Sequence, residues 1–296
     1  MKIALLIGIN YTSDPEYKLH NSINNIMIMK KLLISHYGYV ESNIFMLRDD
    51  DPSRMPTRSS IITALNDLVI SSKSMITSTE ICIHYCGHGS HIQNTIDGVP
   101  KVDGIIIPVD YKTEGFIDDD LIFKCVSLIQ CPVLLIMNCC NSGDMCDLVY
   151  GFTNHHTTYD NQTIIKNPNI IMFSGTTGTG MNMDNTTYCD FSDNVFTNAL
   201  LQSLKTNGYY KAQIGKVNQD IYEWLKQHGK YQKSIPSLVV EQSKSESEPE
   251  SQTQTQVGIP VVRKCILPLQ YTDYITGVNI GYSNWKQKPM MIYHSY

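Results

Sequence analysis

The sequence predicts an α/β protein in which a mostly parallel central sheet is flanked by helices. Two observations favour this class. Short apolar runs, typical of strands buried on both faces, recur along the first two thirds of the chain. Between them lie stretches whose apolar residues recur at spacings of three and four, as in amphipathic helices. Strands that alternate with helices form a parallel sheet covered on both sides.

The individual elements follow from the same patterns. Helix starts are expected where Asn or Ser precedes or opens a periodic stretch, because these residues cap helices. The predicted strands are KIALLIGI (2–9), NIFML (43–47), EICIHY (80–85), GIIIPV (104–109), PVLLIM (132–137), NIIMFSG (169–175) and, later, SLVVE (237–241). The predicted helices are NSINNIMIMKKLL (21–33), SSIITALNDLVI (59–70), NVFTNALLQSL (194–204) and KVNQDIYEWLKQ (216–227).

The composition changes sharply near the C-terminal end. Residues 243–257 are rich in Ser, Glu, Gln and Thr and contain almost nothing that could build a core, which predicts a disordered linker or surface loop. Residues 258–296 regain apolar and aromatic side chains, so they could add a final strand or form a small appendage. The sequence therefore predicts one folded domain over residues 1–242, the linker, and this tail.

Charge and cysteine content narrow the partners and the compartment. The net charge of −5 provides no basic field, so neither nucleic acid nor an anionic membrane is expected as a partner. The apolar N-terminal run is too short for a signal peptide, and no later run approaches the roughly 18 residues of a membrane span. Nine cysteines without framework spacing indicate reduced thiols. We expect a cytoplasmic monomer.

Two predicted strand ends carry reactive side chains. His88 follows EICIHY in the sequence IHYCGHGSH, between two glycines, and two adjacent cysteines follow PVLLIM in LLIMNCCNSGD. Ligands of an open parallel sheet bind beyond the carboxyl ends of its strands, where the loops converge. If the two strands are parallel neighbours, their loops bring an imidazole and a thiol into one crevice.

An imidazole beside a thiol is the pairing that nucleophilic cysteine catalysis needs. The imidazole lowers the thiol pKa, because the thiolate is the nucleophile, and later protonates the leaving amine. The flanking glycines allow sharp turns that direct backbone N–H groups at a developing oxyanion. The separation of 52 residues between His88 and Cys140 is close to the interval of roughly 50 found in caspase-type peptidases.

Two structural alternatives stay open for these residues. A cysteine at a strand end is more commonly a small buried hydrophobic residue, and His84, inside its strand, is expected to be a core histidine with satisfied hydrogen bonds. The second alternative is a zinc site made from His84, Cys86, His88 and Cys139, although the sequence has no C-x-x-C pair. Four ligands crowded on strand ends would not easily form a tetrahedron.

Two short blocks resemble the metacaspases, a family of caspase-like cysteine peptidases. HYCGHG is similar to their H-Y-S-G-H-G block, and NCCNSG to their D-S-C-H-S-G block. The resemblance implies a caspase-like three-layer sandwich with His88 as the catalytic histidine and Cys140 as the nucleophile, while Cys139 falls on the serine of the second block. It also implies an oxyanion hole formed by the backbone N–H groups of Gly89 and Cys140.

The resemblance extends over residues 1–240. DGIIIPVDYKTEGFIDDDL, NIIMFSGTTGTGMNMD and FTNALLQSL are similar to three further metacaspase segments. Because the first strand begins at once, and no long insertion follows Gly151, the chain resembles the type I arrangement without a prodomain.

Four aspartates fall on positions that bind calcium in the metacaspases. Aspartates in turns are more commonly solvated helix caps, and IDDDL could be no more than that. However, four carboxylates that converge would repel one another unless a hard cation lay between them. The resemblance therefore implies a Ca²⁺ site made by Asp103, Asp119, Asp120 and Asp147.

Two residues of the implied substrate pocket differ from those of many metacaspases. Metacaspases that cleave after Arg or Lys carry two acidic residues there, whereas this chain has Asn25 and Asn138 at the corresponding positions. A carboxylate pair binds a guanidinium through charge-assisted bidentate hydrogen bonds, which two amides cannot replace. A basic residue before the scissile bond (P1) is therefore not expected.

The sequence thus predicts a cysteine endopeptidase that acts on proteins or peptides through a His88–Cys140 dyad and a thioester intermediate, stimulated by calcium. The alternative is an inactive or weak caspase-fold protein that uses the same crevice to bind a partner. A zinc-binding structural protein is a third hypothesis, which metal analysis would distinguish from the other two.

Overall fold

The computed structural model describes ten segments of the chain. They are residues 1–73, 80–96, 99–143, 145–148, 150–153, 156–159, 170–175, 195–209, 214–227 and 237–240. The predicted linker over residues 243–257 and the tail over 258–296 lie outside the described residues, so both stay predictions.

Strands and helices alternate over most of the described chain. The strands are β1 (Lys2–Gly8), β2 (Ile44–Arg48), β3 (Glu80–Cys86), β4 (Gly89–Ile96), β5 (Val99–Ile106), β6 (Ile117–Asp118), β7 (Val133–Asn138), β8 (Tyr150–Thr153), β9 (His156–Tyr159), β10 (Ile170–Ser174) and β11 (Ser237–Val240). The helices are α1 (Ser22–Tyr37), α2 (Arg58–Lys73), α3 (Tyr111–Glu114), α4 (Asp119–Val126), α5 (Val195–Thr206) and α6 (Ile214–Gln227).

Within the described residues, eight strands form one sheet in the order β2-β1-β3-β7-β10-β11-β8-β9. The first five of these strands are parallel, whereas β11, β8 and β9 pair antiparallel. A second, antiparallel sheet consists of β4, β5 and β6. The mostly parallel central sheet confirms the predicted fold class.

Apolar clusters cover both faces of the central sheet, as alternating side chains of β3 illustrate. Ile81, Ile83 and Tyr85 pack into one cluster, which receives the buried faces of α2 and α4. Cys82 and Cys86 point to the other face, where α1, α5 and α6 pack. Successive side chains of a strand point to opposite faces, so a strand covered on both sides has no polar face. The result is a three-layer arrangement.

Two local expectations were wrong. GIIIPV was expected to form one strand, but β5 ends at Ile106 and pairs antiparallel with β4 in the smaller sheet, because Pro108 has no N–H to continue a ladder. Among the described residues Asn21 makes no capping hydrogen bond to α1. The Asn10 side chain does so instead, accepting hydrogen bonds from the first N–H groups of the helix, including that of Ser22 at 2.9 Å.

None of the helices within the described segments combines the length and apolar character that crossing a bilayer requires.

Candidate active site

The two reactive loops start side by side at the carboxyl edge of the sheet. Strands β3 and β7 are parallel neighbours, and Cys86 pairs with Asn138 at their ends. His88 lies two residues beyond Cys86, and Cys140 lies two residues beyond Asn138. The register therefore places His88 and Cys140 two residues beyond paired positions of adjacent strands, at the edge of the sheet where ligand-binding loops converge.

Gly89 brings the two loops into direct contact. A Cβ atom at this position would lie 2.3 Å from the Cys140 carbonyl oxygen and 2.9 Å from the Cys139 sulfur, closer than real Cβ atoms approach. Only glycine lets the backbone after His88 pack this tightly against the cysteine turn. The backbones of Gly89 and Cys140 are thus neighbours, which is compatible with their predicted role as the two N–H donors of an oxyanion hole.

A backbone carbonyl determines the tautomer of His88. The Nε2 atom lies 2.6 Å from the carbonyl oxygen of Tyr17. A carbonyl can only accept a hydrogen bond, so Nε2 carries the proton and Nδ1 is the basic nitrogen of the neutral ring. The Tyr11 hydroxyl accepts a hydrogen bond from the His88 backbone N–H at 2.9 Å, which fixes the turn itself.

Burial lowers the pKa of His88, while the Tyr17 carbonyl and the Asp14 carboxylate act in the opposite direction. The ring is consequently neutral at neutral pH and available as a base. Its neighbourhood combines an apolar environment with one distant negative charge, and the balance favours the uncharged form.

The two adjacent thiols occupy different environments. Cys139 is 0% exposed, and burial raises its pKa well above the ordinary value, with the charge of Cys140 acting in the same direction. Cys140 is half-buried. Because only a thiolate attacks a carbonyl, Cys139 is unsuited to nucleophilic attack and Cys140 is the better candidate. The following residue, Asn141, has a φ of 52°, so the chain turns sharply directly after the candidate nucleophile.

The predicted pocket residues, Asn25 and Asn138, lie together although they are far apart in sequence. Each amide nitrogen donates a hydrogen bond to the sulfur of Cys86 at 3.4 Å, and Asn138 also donates to the Thr197 hydroxyl at 3.3 Å. Both side chains are 1% exposed, and their carbonyl oxygens have no hydrogen-bond partner among the described residues. Two hydrogen-bond acceptors without partners among the described residues therefore lie near one another at the ends of β3 and β7.

The sequence suggested Cys86 only as a ligand of the alternative zinc site, and it gave no indication of Thr197. Cys86 was visible inside the HYCGHG block, and its sulfur is neutral because burial raises its pKa to about 11. Thr197 lies in the FTNALLQSL segment, and nothing in its local sequence indicates that it would reach Asn138.

The carboxylates of the predicted calcium site differ in exposure. Asp103 on β5 and Asp119 at the start of α4 are buried, whereas Asp120 is exposed. The Asp119 carboxylate accepts a hydrogen bond from the Cys146 N–H at 3.3 Å. Gly104 leaves space for it, because a Cβ atom there would lie 3.2 Å from an Asp119 oxygen. Buried carboxylates in adjacent segments offer the hard oxygen donors that Ca²⁺ binds.

The N-terminal cap of α4 is Asp118, whose side chain accepts a hydrogen bond from the Leu121 N–H at 2.7 Å. Asp118 is not one of the four proposed calcium ligands. Burial raises the pKa of Asp118, and the charges of Asp120 and Asp103 add to that effect.

The Asp147 side chain lies outside the described residues, so the structure does not describe the complete set of four proposed ligands, and the calcium site stays a prediction. Within the described segments, no three His, Cys, Asp or Glu side chains are grouped to hold a metal ion, so neither the zinc alternative nor a cluster of Asp103, Asp119 and Asp120 by themselves is found there.

His84 is buried as expected, but it is not a satisfied histidine. Neither ring nitrogen has a hydrogen-bond partner among the described residues, and burial lowers the pKa of His84 to about 3. A neutral ring in the centre of β3 therefore contributes packing and no charge.

Aromatic residues around His88 were missed entirely. Tyr11 and Tyr17 come from the segment after β1, and Tyr111 and Phe116 come from the segment between β5 and β6. Their only sequence signal is their position near predicted strand ends, where ligand-binding loops converge.

The protein-family model of the metacaspase, peptidase C14 domain matches the sequence over residues 2–149, which is half of the chain. The chain belongs to the metacaspase family. Metacaspase-1 of Eremothecium gossypii is 36% identical over 174 residues, which cover 56% of this chain and 36% of that relative. Metacaspase-1B of Aspergillus oryzae is 37% identical over 174 residues, which cover 56% of this chain and 39% of the relative. This metacaspase thus spans less than half the length of these relatives.

A crystal structure of a Geobacter sulfurreducens protein has a similar fold. The TM-score is 0.54 at 17% sequence identity, and the similarity covers 82% of this chain and 94% of the other. Together with membership of the metacaspase family, the three-layer architecture confirms the predicted caspase-like fold.

Proposed function

We propose that this metacaspase is a cysteine endopeptidase in which Cys140 is the nucleophile and His88 is the general base and acid. The observation that carries the proposal is that both residues lie two positions beyond the paired ends of neighbouring strands, where Gly89 packs against the cysteine turn. The Tyr17 carbonyl supports it further, because it leaves Nδ1 of His88 to accept a proton.

The proposed reaction begins with these two residues. Nδ1 of His88 takes the proton of Cys140, and the thiolate attacks the carbonyl carbon of the scissile bond. The N–H groups of Gly89 and Cys140 stabilise the resulting oxyanion. The C–N bond breaks as His88 returns the proton to the leaving amine, and a thioester remains on Cys140. Water, deprotonated by His88, then hydrolyses the thioester and releases the acid.

The residue before the scissile bond is proposed to be uncharged. Asn25 and Asn138 supply amide groups at the pocket, and neither of them offers a counter-charge to a cationic side chain. Their two carbonyl oxygens can accept hydrogen bonds, so a neutral donor matches them better than an ammonium or guanidinium group.

Calcium is proposed as a stimulating cation held by Asp103, Asp119, Asp120 and Asp147. When bound, it would neutralise the charges of the carboxylates and would connect the segments that carry them.

The proposed substrates are proteins or peptides. The monomeric state and the cytoplasmic location stay predictions.

The test is labelling by an electrophilic peptide probe, combined with turnover of a peptide library. Cys140→Ala should abolish both, because it removes the nucleophile. Cys139→Ser is the matched control, since it alters the neighbouring thiol and restores the residue that the resembled block carries; most of the activity should persist. If Cys139→Ser is inactive while Cys140→Ala still turns over, the nucleophile has been assigned one residue too late.

The second candidate is a caspase-fold module that binds a partner without cleaving it. The burial of both pocket asparagines, whose amides contact Cys86, favours this candidate because it makes the pocket unlike a basic-specific one. Peptide binding without probe labelling or turnover would support the binding module and contradict the peptidase.

A further inference from the structure

A pocket lined by aromatic residues opens next to His88, between the segment after β1, the start of β4 and the turn before β6. Its wall is a row of rings. Phe116 lies 6.2 Å from Tyr111, Tyr111 lies 6.1 Å from Tyr17, and Tyr17 lies 6.3 Å from His88, measured between ring centroids. Ile92 of β4 and Ile105 of β5 also line the pocket.

The position of the pocket relative to the dyad indicates which part of a substrate would enter it. His88 lines the pocket, whereas Cys140, Asn25 and Asn138 are not among the described residues that do. In peptide hydrolysis the acyl part of the substrate stays on the thiol, while the imidazole gives its proton to the leaving amine. The residue that carries this amine must therefore lie beside His88.

We propose that this pocket binds the side chain that follows the scissile bond, P1′, and that it selects a large apolar or aromatic side chain there. The inference rests on the proposed peptidase function. It extends that function to the leaving side of the substrate, which the asparagine pocket does not contact.

The chemistry of the lining favours an uncharged, preferably aromatic, group. Rings stack on rings in offset or edge-to-face arrangements, and the described lining contains no carboxylate, lysine or arginine. At the rim, Lys112 lies over the rings of Tyr17 and Tyr111, but it pairs with Asp14 at 2.7 Å. The Tyr111 hydroxyl donates to the same carboxylate at 3.1 Å. The rim charges thus neutralise one another.

The experiment uses two quenched peptides that share the best-cleaved unprimed sequence and differ only at P1′, which is Phe in one and Gly in the other. The measured quantity is kcat/KM, because it includes every step up to the departure of the amine. Burying an aromatic side chain should favour the Phe peptide by about 10- to 100-fold. Phe116→Ala should reduce this ratio. The matched control is Phe45→Ala, the same change at a side chain of β2 that is 56% exposed, and it should retain the ratio.

A second variant guards against a simple folding defect. Ile92→Trp adds bulk to the pocket, so the Gly peptide should become the better substrate. Equal rates for the two peptides in the unaltered chain, or a ratio that neither variant changes, would overturn the inference.

An electrophilic probe without primed residues distinguishes a failure of the P1′ pocket assignment from a failure of the peptidase proposal. Labelling of Cys140, together with cleavage that ignores P1′, contradicts the pocket assignment and leaves the peptidase intact. Absence of cleavage, with or without labelling, contradicts the peptidase proposal and the P1′ pocket with it.

Discussion

Asn25 and Asn138 are the residues on which the proposed substrate preference depends. They are buried side by side, each with its amide nitrogen on the sulfur of Cys86. An amide oxygen can accept a hydrogen bond from a guanidinium but supplies no charge. A hydrogen bond to a charged group contributes about 1.5 to 3 kcal/mol, against about 1 kcal/mol for a neutral one.

From this difference we expect weak cleavage after Arg or Lys. Two such losses lower kcat/KM for an Arg substrate by about 10- to 1000-fold. The double change Asn25→Asp and Asn138→Asp should recover much of this loss, as measured with a P1-varied peptide library. Asn24→Asp is the matched control, because Asn24 is exposed on the same helix, and it should leave the preference unchanged.

A strong preference for Arg in the unaltered chain would contradict the role proposed for the two asparagines. If the unaltered chain already prefers Arg strongly and the double variant gains nothing, another acid recognises the substrate. Asp184, which lies outside the described residues, is the candidate in that case.

At the scale of elements, the segment between β1 and α1 connects the surface to His88, the candidate general base. Asp49 accepts hydrogen bonds from the backbone N–H groups of Asn10 and Thr12, at 2.8 and 2.9 Å. Further along the segment, Asp14 pairs with Lys112 of α3. These anchors hold the carbonyl of Tyr17 against His88, so the tautomer of the imidazole depends on contacts made some distance away.

The same segment leads to a prediction about pH. Asp14 raises the pKa of His88, against the larger lowering by burial. Removing its charge in Asp14→Asn should therefore lower the His88 pKa further. The acid limb of the kcat/KM profile reports protonation of the base, so this limb should move to lower pH. Asp67→Asn, on an exposed position of α2, is the control and should leave the profile in place. A shift of the limb to higher pH would contradict the proposed electrostatics.

At the scale of the whole molecule, the smaller sheet, α4 and the turn after Cys140 meet around two buried carboxylates. Asp103 belongs to β5, and Asp119, at the start of α4, accepts a hydrogen bond from the Cys146 N–H. A cation held there would connect three separate parts of the chain. One of them follows the candidate nucleophile by only a few residues.

We therefore expect calcium to act on stability and activity together. Saturating calcium should raise the free energy of unfolding by about 1.4 kcal/mol at a tenfold excess over Kd, and should accelerate probe labelling. Asp119→Asn should lose both effects, whereas Asp67→Asn should keep them. Thermal unfolding with and without a chelator measures the first effect, and labelling rates measure the second. Identical melting and labelling at every calcium concentration would exclude a calcium site of this kind.

The sequence by itself predicted the fold class, which the structure confirms, and a reactive pair, which stays a prediction. Continuous apolar runs such as KIALLIGI and PVLLIM are local signals of strands buried on both faces, and the central sheet confirms them. The two glycine-containing blocks predicted His88 and Cys140 as this pair, because the turn residues and the candidate side chains are neighbours along the chain. Features encoded within a few residues of one another were predictable.

Only the tertiary structure decided how these residues are supported. The carbonyl that orients His88 belongs to Tyr17, 71 positions earlier, and the helix cap of α1 comes from Asn10 instead of Asn21. The hairpin of β4 and β5 was also missed, although the dipeptide Asp97–Gly98 is a typical hairpin signal. A main-chain carbonyl has the same chemistry at every residue, and the aromatic row beside His88 assembles from distant segments. Local patterns contain no record of which distant groups will meet, because that depends on how the packed layers bring the loops together.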